Sequence, residues 1–226
     1  MKEKHFQTFP FSFALFFFAS PRALRLCVKI KIMIYDKLAK NYDKAFAPFE
    51  KRFISEWRKE TLSHLPLNAR LLEIGAGTGL NFKFYPACRQ AVASEISFKM
   101  LEFAGAKTGA IELVQADAER LPFAANTFDA AFATLVFCSI PKPENAFAEL
   151  QRIVKPNGKI VLLEHVRPNN PLGFAFDFLN IFTVALIEDH FNRRTAEIAG
   201  NAGLKILEVK RKAFGIVNLI VCGVEK

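Results

Sequence analysis

The chain is poor in the features that assign a protein quickly. Of its 226 residues only four are cysteine, Cys27, Cys88, Cys138 and Cys222, and no two form a C-x-x-C pair. That spacing indicates neither a zinc ligand set nor a disulfide framework, and a reducing compartment is its natural setting. A bilayer-spanning helix needs about 20 apolar residues, whereas the phenylalanine-rich run from Phe9 to Ala19 has eleven. Internal repeats, low-complexity linkers and basic-aromatic nucleic-acid motifs are also missing. The net charge of +9 would suit an anionic partner. Residues 1–32, however, carry six basic residues against one acid, which leaves about +4 for the rest, so no nucleic-acid partner is expected. An apolar fraction of 51% excludes a disordered chain, and the length suits one domain with a sizeable core.

What is present is concentrated between residues 71 and 95. An aliphatic run ends in Glu73, and glycines follow at alternate positions, Gly75, Gly77 and Gly79. Glycines so placed let a strand turn sharply into a helix while the backbone lies against a ligand. Twenty residues beyond Gly75, Glu95 closes a second apolar segment, a spacing suited to a carboxylate that binds ribose hydroxyls. The site is therefore expected to take an adenosine-bearing cofactor. A dinucleotide fingerprint would place its third glycine where Leu80 stands, and a diphosphate prefers a helix N-terminus without a nearby anion. Glu73 instead suits a ligand that brings positive charge. S-adenosylmethionine does, through its sulfonium and its α-amino group.

These residues resemble the class I S-adenosylmethionine-dependent methyltransferases, and the resemblance extends over roughly residues 35 to 226. Val114–Phe123 is similar to the family's segment after the third strand, Phe128–Thr134 to its fourth strand, and Leu150–Lys159 to the helix, turn and start of the fifth. The nearest group is the ubiquinone/menaquinone C-methyltransferase-like one. Within it, Cys138–Pro141, Glu164–Arg167 and Asn192–Thr195 resemble a small-molecule or phospholipid methyltransferase branch. One departure is Asn157, where the family has glycine; asparagine tolerates the left-handed conformation such a turn needs. The resemblance implies that Glu73 with the backbone of Gly75, Ala76, Gly77 and Gly79 holds the methionine part of the cofactor. It places Glu95 and Ile96 at the ribose, Asp117 with the Ala118 amide at the adenine, and Thr134 and Leu135 under the transferring methyl. His165 and His190 are the candidate bases, each with a structural role as its alternative. Tyr35 and Tyr42 are expected to close over the cofactor or to pack. Two other classes stay open: a nicotinamide-dependent oxidoreductase, for which no Tyr-x-x-x-Lys pair is found, and a non-catalytic adenosyl-cofactor-binding protein.

Strands are expected at 69–74, 90–95, 111–115, 128–134, 158–164, 204–209 and 216–224, and helices at 79–84, 97–106, 143–154 and 192–201. A helical spacing of Leu38, Tyr42, Phe46, Phe49, Phe53 and Trp57 covers 36–63, with Pro48 expected to break it in two. The fold class is thus α/β, a Rossmann-like three-layer sandwich with a seven-stranded, mostly parallel sheet and one antiparallel strand in a C-terminal hairpin. The apolar interval Pro171–Ile187 follows the fifth strand, at the edge where open α/β sheets bind ligands. Either it packs on the core, or it forms a lid or membrane-facing wall for an apolar or lipid-like substrate. Residues 33–226 are expected to be the methyltransferase domain and 1–32 an extension. For that extension, translation starting at Met33 is the first expectation, a membrane-contacting tail the second, and a secretory signal the third, since export would part an enzyme from its methyl donor. The expected location is cytoplasmic, with peripheral contact on the inner face of the membrane as an option. Oligomeric state and the acceptor stay open: a quinone-precursor carbon, a phospholipid amine, or an oxygen, nitrogen or thiol of an apolar metabolite.

Overall fold

The computed structural model describes the backbone of residues 21–187 and 189–226 and the side chains of 35–183 and 189–226. The Phe9–Ala19 run lies outside the described residues. The chain divides into two units, residues 1–31 and 32–226. The larger holds the sheet. Its strands are β1 (Arg70–Ile74), β2 (Gln90–Glu95), β3 (Ile111–Gln115), β4 (Phe128–Thr134), β5 (Val154–His165), β6 (Lys205–Lys212) and β7 (Val217–Gly223), in the order β3-β2-β1-β4-β5-β7-β6. β1 to β5 pair in parallel, and β7 lies antiparallel to both β5 and β6. The expected sheet, its one antiparallel strand and its C-terminal hairpin are all present.

Alternation along the strands sorts side chains onto two faces. Leu71, Val161, Leu163, Leu219 and Val221 meet Leu62 and Leu65 of the helix α2 (Ser55–Ser63) and its exit. Leu72, Ile74, Ile160, Leu162, Ile220 and Cys222 point the other way, against Phe147, Leu150 and Ile153 of α4 (Pro143–Ile153). Each face thus carries its own core, the condition for a parallel sheet buried on both sides. Between β2 and β3 runs α3 (Phe98–Gly105), which Ser97 caps by accepting from the Met100 amide.

Three local expectations change. Pro48 does not split the first helix, α1 (Pro21–Phe49), which runs through it and widens into a π turn at Glu50–Ile54 before continuing as α2. Proline removes one amide donor, and the chain absorbs the defect in wider i→i−5 bonding, with the Ser55 amide donating to Glu50. The apolar side chains that marked this stretch are largely uncovered: Leu38, Phe46, Phe49 and Phe53 are exposed. Residues 79–84 form turns and a single 3₁₀ turn, Phe82–Phe84, instead of a helix. Gly79 at φ +82° redirects the chain there, and Pro86 follows closely. The last helix, α6 (Thr195–Asn201), starts three residues later than its pattern suggests.

The apolar interval is a helix, α5 (Leu172–Ile187), and most of the large apolar side chains described on it are exposed. Phe174 is 76% exposed, Phe178 66% and Ile181 64%. It is tethered instead through Asp177, which accepts three bonds from Arg167 and one from Asn192. No helix among the described residues is long and apolar enough to cross a membrane.

Asn157 occupies the left-handed region at φ +62°, the conformation glycine would take freely there. Asn157→Gly should leave the urea midpoint close to that of the parent, whereas Asn157→Val should lower stability by roughly 1–2 kcal/mol. Equal midpoints for the two variants would contradict a strained turn.

Candidate active site

The carboxyl edge of the sheet is organised around the turn after β1. Gly75, Gly77 and Gly79 all have positive φ, at +63°, +55° and +82°. Their surroundings differ. A Cβ on Gly75 would sit 2.6 Å from the Val136 methyls, and one on Gly79 would sit 2.6 Å from the Phe82 ring. A Cβ on Gly77 would meet nothing within 4 Å. Gly75 and Gly79 are thus required by the protein's own packing, while Gly77 fronts open space. Ala76 is buried, and its amide donates to the Ser94 carbonyl at 3.0 Å, which joins the turn to the end of β2.

Glu95 faces the same turn. Its two oxygens accept from the amides of Gly77 and Ser97, each at 2.9 Å. Burial raises its pKa, and these backbone bonds oppose the rise. Each carboxylate oxygen keeps a lone pair for a hydroxyl. Ile96 follows, half-buried, with its carbonyl held by Gln115. At the end of β3, Asp117 is half-buried and accepts from the Glu119 amide at 2.9 Å, so one oxygen shapes the turn at Ala118 and the other is left for a ligand. The structure therefore brings Gly77, Glu95, Ile96, Asp117 and Ala118 onto adjoining strand ends.

Glu73 is placed differently from its expected role. It has no exposed surface, and its carboxylate accepts from Asn81 Nδ2 and from the Tyr85 hydroxyl, both at 2.5 Å. It reaches a ligand only through the residues it holds. Asn81 also donates to Thr134 Oγ1 at 2.8 Å and accepts from Arg58 at 3.0 Å. Arg58 donates to Thr134 as well and pairs with Glu50 at 3.1 Å. The Thr134 hydroxyl is thereby engaged in the network at the end of β4. Burial pushes Glu73 up to about 7, opposed by Tyr85, Asn81 and Arg58. None of Arg58, Asn81 and Tyr85 was singled out in the sequence. The one signal was that Arg58 shares a helical stripe with the buried Thr61 and Leu62.

α1 closes the site from above. Asp36 accepts from the Ser97 hydroxyl, and Asp43 from the Thr78 hydroxyl, at 2.5 Å each. Tyr42 stacks on Phe46, and burial lifts its hydroxyl to about 12. Burial likewise raises Tyr35, which bonds Ser139.

Past β4 the backbone is strained. Leu135 has φ +59°, and its amide donates to Leu163 at 2.7 Å. Glu164, wholly buried, accepts from the next two amides, Val136 and Phe137, at 3.0 and 3.1 Å, and burial pushes it up to about 8. A left-handed leucine fixed by its neighbours is the strained geometry found at functional turns. Beside it, His165 stacks on Phe191 with a centroid separation of 4.3 Å, and its buried Nδ1 has no protein partner. Burial lowers its pKa, so the ring is neutral at pH 7 and able to accept a proton. His190 is held by its amide, which donates to the Cys138 carbonyl at 3.0 Å, and its pKa is also lowered, chiefly by burial.

Comparison with known proteins points to methyltransferases. Residues 72–162 match the family model described as a methyltransferase domain. Over 139 residues the chain is 31% identical to a demethylmenaquinone methyltransferase of Renibacterium salmoninarum, covering 60% of this chain and 58% of that protein. Over 124 residues it is 32% identical to a phosphatidylethanolamine N-methyltransferase of Cereibacter sphaeroides, covering 51% and 61%. The matches thus span less than two thirds of those relatives' own length. Among solved structures, an S-adenosylmethionine-dependent methyltransferase from Thermotoga maritima superposes with a TM-score of 0.68 at 20% identity, over 85% of this chain and 99% of that one. Residues 72–162 thus match a methyltransferase domain, and the similarity to a demethylmenaquinone methyltransferase extends over 60% of the chain.

The buried carboxyl of Glu73 has a consequence for stability. Its folded pKa, about 7, lies above its ordinary value of 4.5, so between these values the folded state binds more proton than the unfolded one. Stability from this group is complete below about pH 4.5 and is lost as pH rises through 7, an effect on the order of 3 kcal/mol. Urea midpoints between pH 5 and 8 should fall, and Glu73→Gln should flatten that fall. An unchanged slope would mean that Glu73 ionises as freely folded as unfolded.

Proposed function

We propose that this chain transfers the methyl group of S-adenosylmethionine to a small, apolar or lipid-like acceptor. The observation that carries the reading is the open front of Gly77 beside Glu95, with Asp117 at the next strand end. It is a backbone cradle with room where a side chain would stand, next to two carboxylates with unused lone pairs. The residues fit the donor: Glu95 and Ile96 hold the ribose, Asp117 and Ala118 the adenine, and the backbone of Gly75–Gly79 the methionine end. When bound, the donor supplies an activated methyl on a sulfonium, with its own leaving group. The protein's part is proximity and alignment. The Arg58–Asn81–Glu73–Tyr85 network fixes the turn, Thr134 anchors it to β4, and α1 excludes water from above through Tyr35 and Tyr42. His165, neutral and with a free Nδ1, takes the acceptor's proton where the acceptor must lose one. His190 flanks it.

The acceptor reading rests on α5. An apolar helix left bare at the carboxyl edge is a wall for a hydrophobic molecule or a contact with the lipid that carries one. The relatives named above act on a quinone precursor and on a phospholipid, and either acceptor class suits such a wall. A location inside the cell, with peripheral contact at the membrane face, belongs to the same proposal. So does the division into a methyltransferase domain at 33–226 and an extension before it.

Calorimetric titration with S-adenosylhomocysteine and with NAD tests the donor. The first should bind and the second should not. Gly77→Ala should still fold, at a cost of about 1 kcal/mol for its left-handed backbone, yet lose affinity for S-adenosylhomocysteine at least tenfold. Binding of NAD in its place would favour the oxidoreductase class. Undiminished affinity in the Gly77 variant would remove the cradle from the account.

A further inference from the structure

Beyond the donor cradle, one cluster joins three segments that are far apart in sequence. Cys138 lies in the loop after β4, His165 closes β5, and Asp189 follows α5. Their ligand atoms, one sulfur, one ring nitrogen and one carboxylate oxygen, all lie within 4.8 Å of one another. Two of the groups have unmet polar capacity: His165 Nδ1 and Asp189 Oδ1 are both buried without a hydrogen-bond partner. Buried polar atoms left so are costly and call for an occupant. Cys138 itself is 2% exposed.

We propose that Cys138, His165 and Asp189 form a binding site for a divalent cation of the zinc class, with three protein ligands and a fourth position left to water or to the methyl acceptor. Sulfur, imidazole and carboxylate are the donor types zinc takes, and three protein ligands with one open position is the arrangement of a reactive zinc. Tetrahedral bonds to such donors place them roughly 3.3–3.8 Å apart, so side-chain rotations that draw the three about 1 Å closer complete the sphere. The charges also balance. A thiolate and a carboxylate neutralise a dication, which removes the cost of burying either anion alone. Supporting contacts hold each ligand in place. The His190 amide donates to the Cys138 carbonyl at 3.0 Å, Thr183 Oγ1 to the Asp189 carbonyl at 2.8 Å, and Phe191 stacks on the His165 ring. Such outer contacts orient metal ligands in known sites.

The spacing of the cysteines gave no sign of zinc, because each ligand arrives from a different segment. If the proposed function is right, the ion stands at the acceptor end of the site and polarises the acceptor's heteroatom. With the ion in place His165 serves as a ligand instead of the base proposed above, and the donor cradle is unaffected.

The test uses the full chain, stripped with a chelator and titrated with Zn(II) alone and with Co(II) alone. One cation should bind per chain. The cobalt form should show the intense visible bands of four-coordination and a near-ultraviolet thiolate-to-cobalt band. Cys138→Ser should abolish that band, His165→Gln and Asp189→Asn should weaken binding at least about tenfold, and Cys88→Ser should change nothing. Failure to bind a stoichiometric ion, or a cobalt spectrum that survives Cys138→Ser, overturns the site. Should the Cys138 variant fail to fold, cobalt binding weakened at least about tenfold in the Asp189 variant upholds the site and binding at full affinity refutes it. S-adenosylhomocysteine titrations run alongside separate the two readings. Nucleoside binding without cobalt binding defeats the metal site alone, and the reverse defeats the donor site alone.

Discussion

One buried polar network holds the site together. Arg58 is 6% exposed, and its guanidinium joins Glu50 in the π turn, Asn81 in the loop after β1, and Thr134 at the end of β4. Asn81 passes the connection to Glu73, and Tyr85 closes it from the far side. Burying a guanidinium and two carboxylates is expensive unless every group is paired. The pairing therefore dictates where three separate segments must stand. The glycine turn keeps its shape because its flanks are pinned to this network. The left-handed Leu135 is held on the other side of Thr134 by the amides that Glu164 receives. A mutation that unpairs one member is expected to be felt across the turn, since the charge left behind has no water to meet.

The division of labour among the acidic residues follows from depth. Glu73 and Glu164 are fully buried and serve the backbone and the network. Glu95 and Asp117 lie at strand ends, use part of their capacity on nearby amides and keep the rest. Asp36 and Asp43 sit on α1 and fasten it to Ser97 and Thr78. Carboxylates that look equivalent in the sequence thus separate into scaffold, ligand-facing and tethering groups.

The sheet was legible because each strand is an apolar run bounded by turn residues, and β1, β2 and β4 begin and end within a residue of their patterns. The glycine turn and its partner Glu95 were legible because their spacing is local. Asn157 was read as a tolerated left-handed residue, and it is one. Residues 79–84 misled because glycine backbone freedom and the proximity of Pro86 outweigh a short helical pattern. Arg58, Asn81 and Tyr85 left no local trace, since their partners lie up to 76 positions away. The same distance hid the meeting of Cys138, His165 and Asp189. The apolar spacing on α1 and the apolar run of α5 were also misleading in one respect: among the described residues they mark side chains left largely exposed, because apolarity reports a preference for avoiding water without naming what covers the surface.

The central claim is that the edge formed by Gly77, Glu95 and Asp117 receives an adenosyl methyl donor. Co-crystallisation with S-adenosylhomocysteine tests it most directly. The account predicts ribose hydroxyls on Glu95, the adenine amino group on Asp117 and the homocysteine chain along the glycine turn. A nucleoside bound elsewhere, or crystals grown at saturating ligand with that edge holding only solvent, would contradict it.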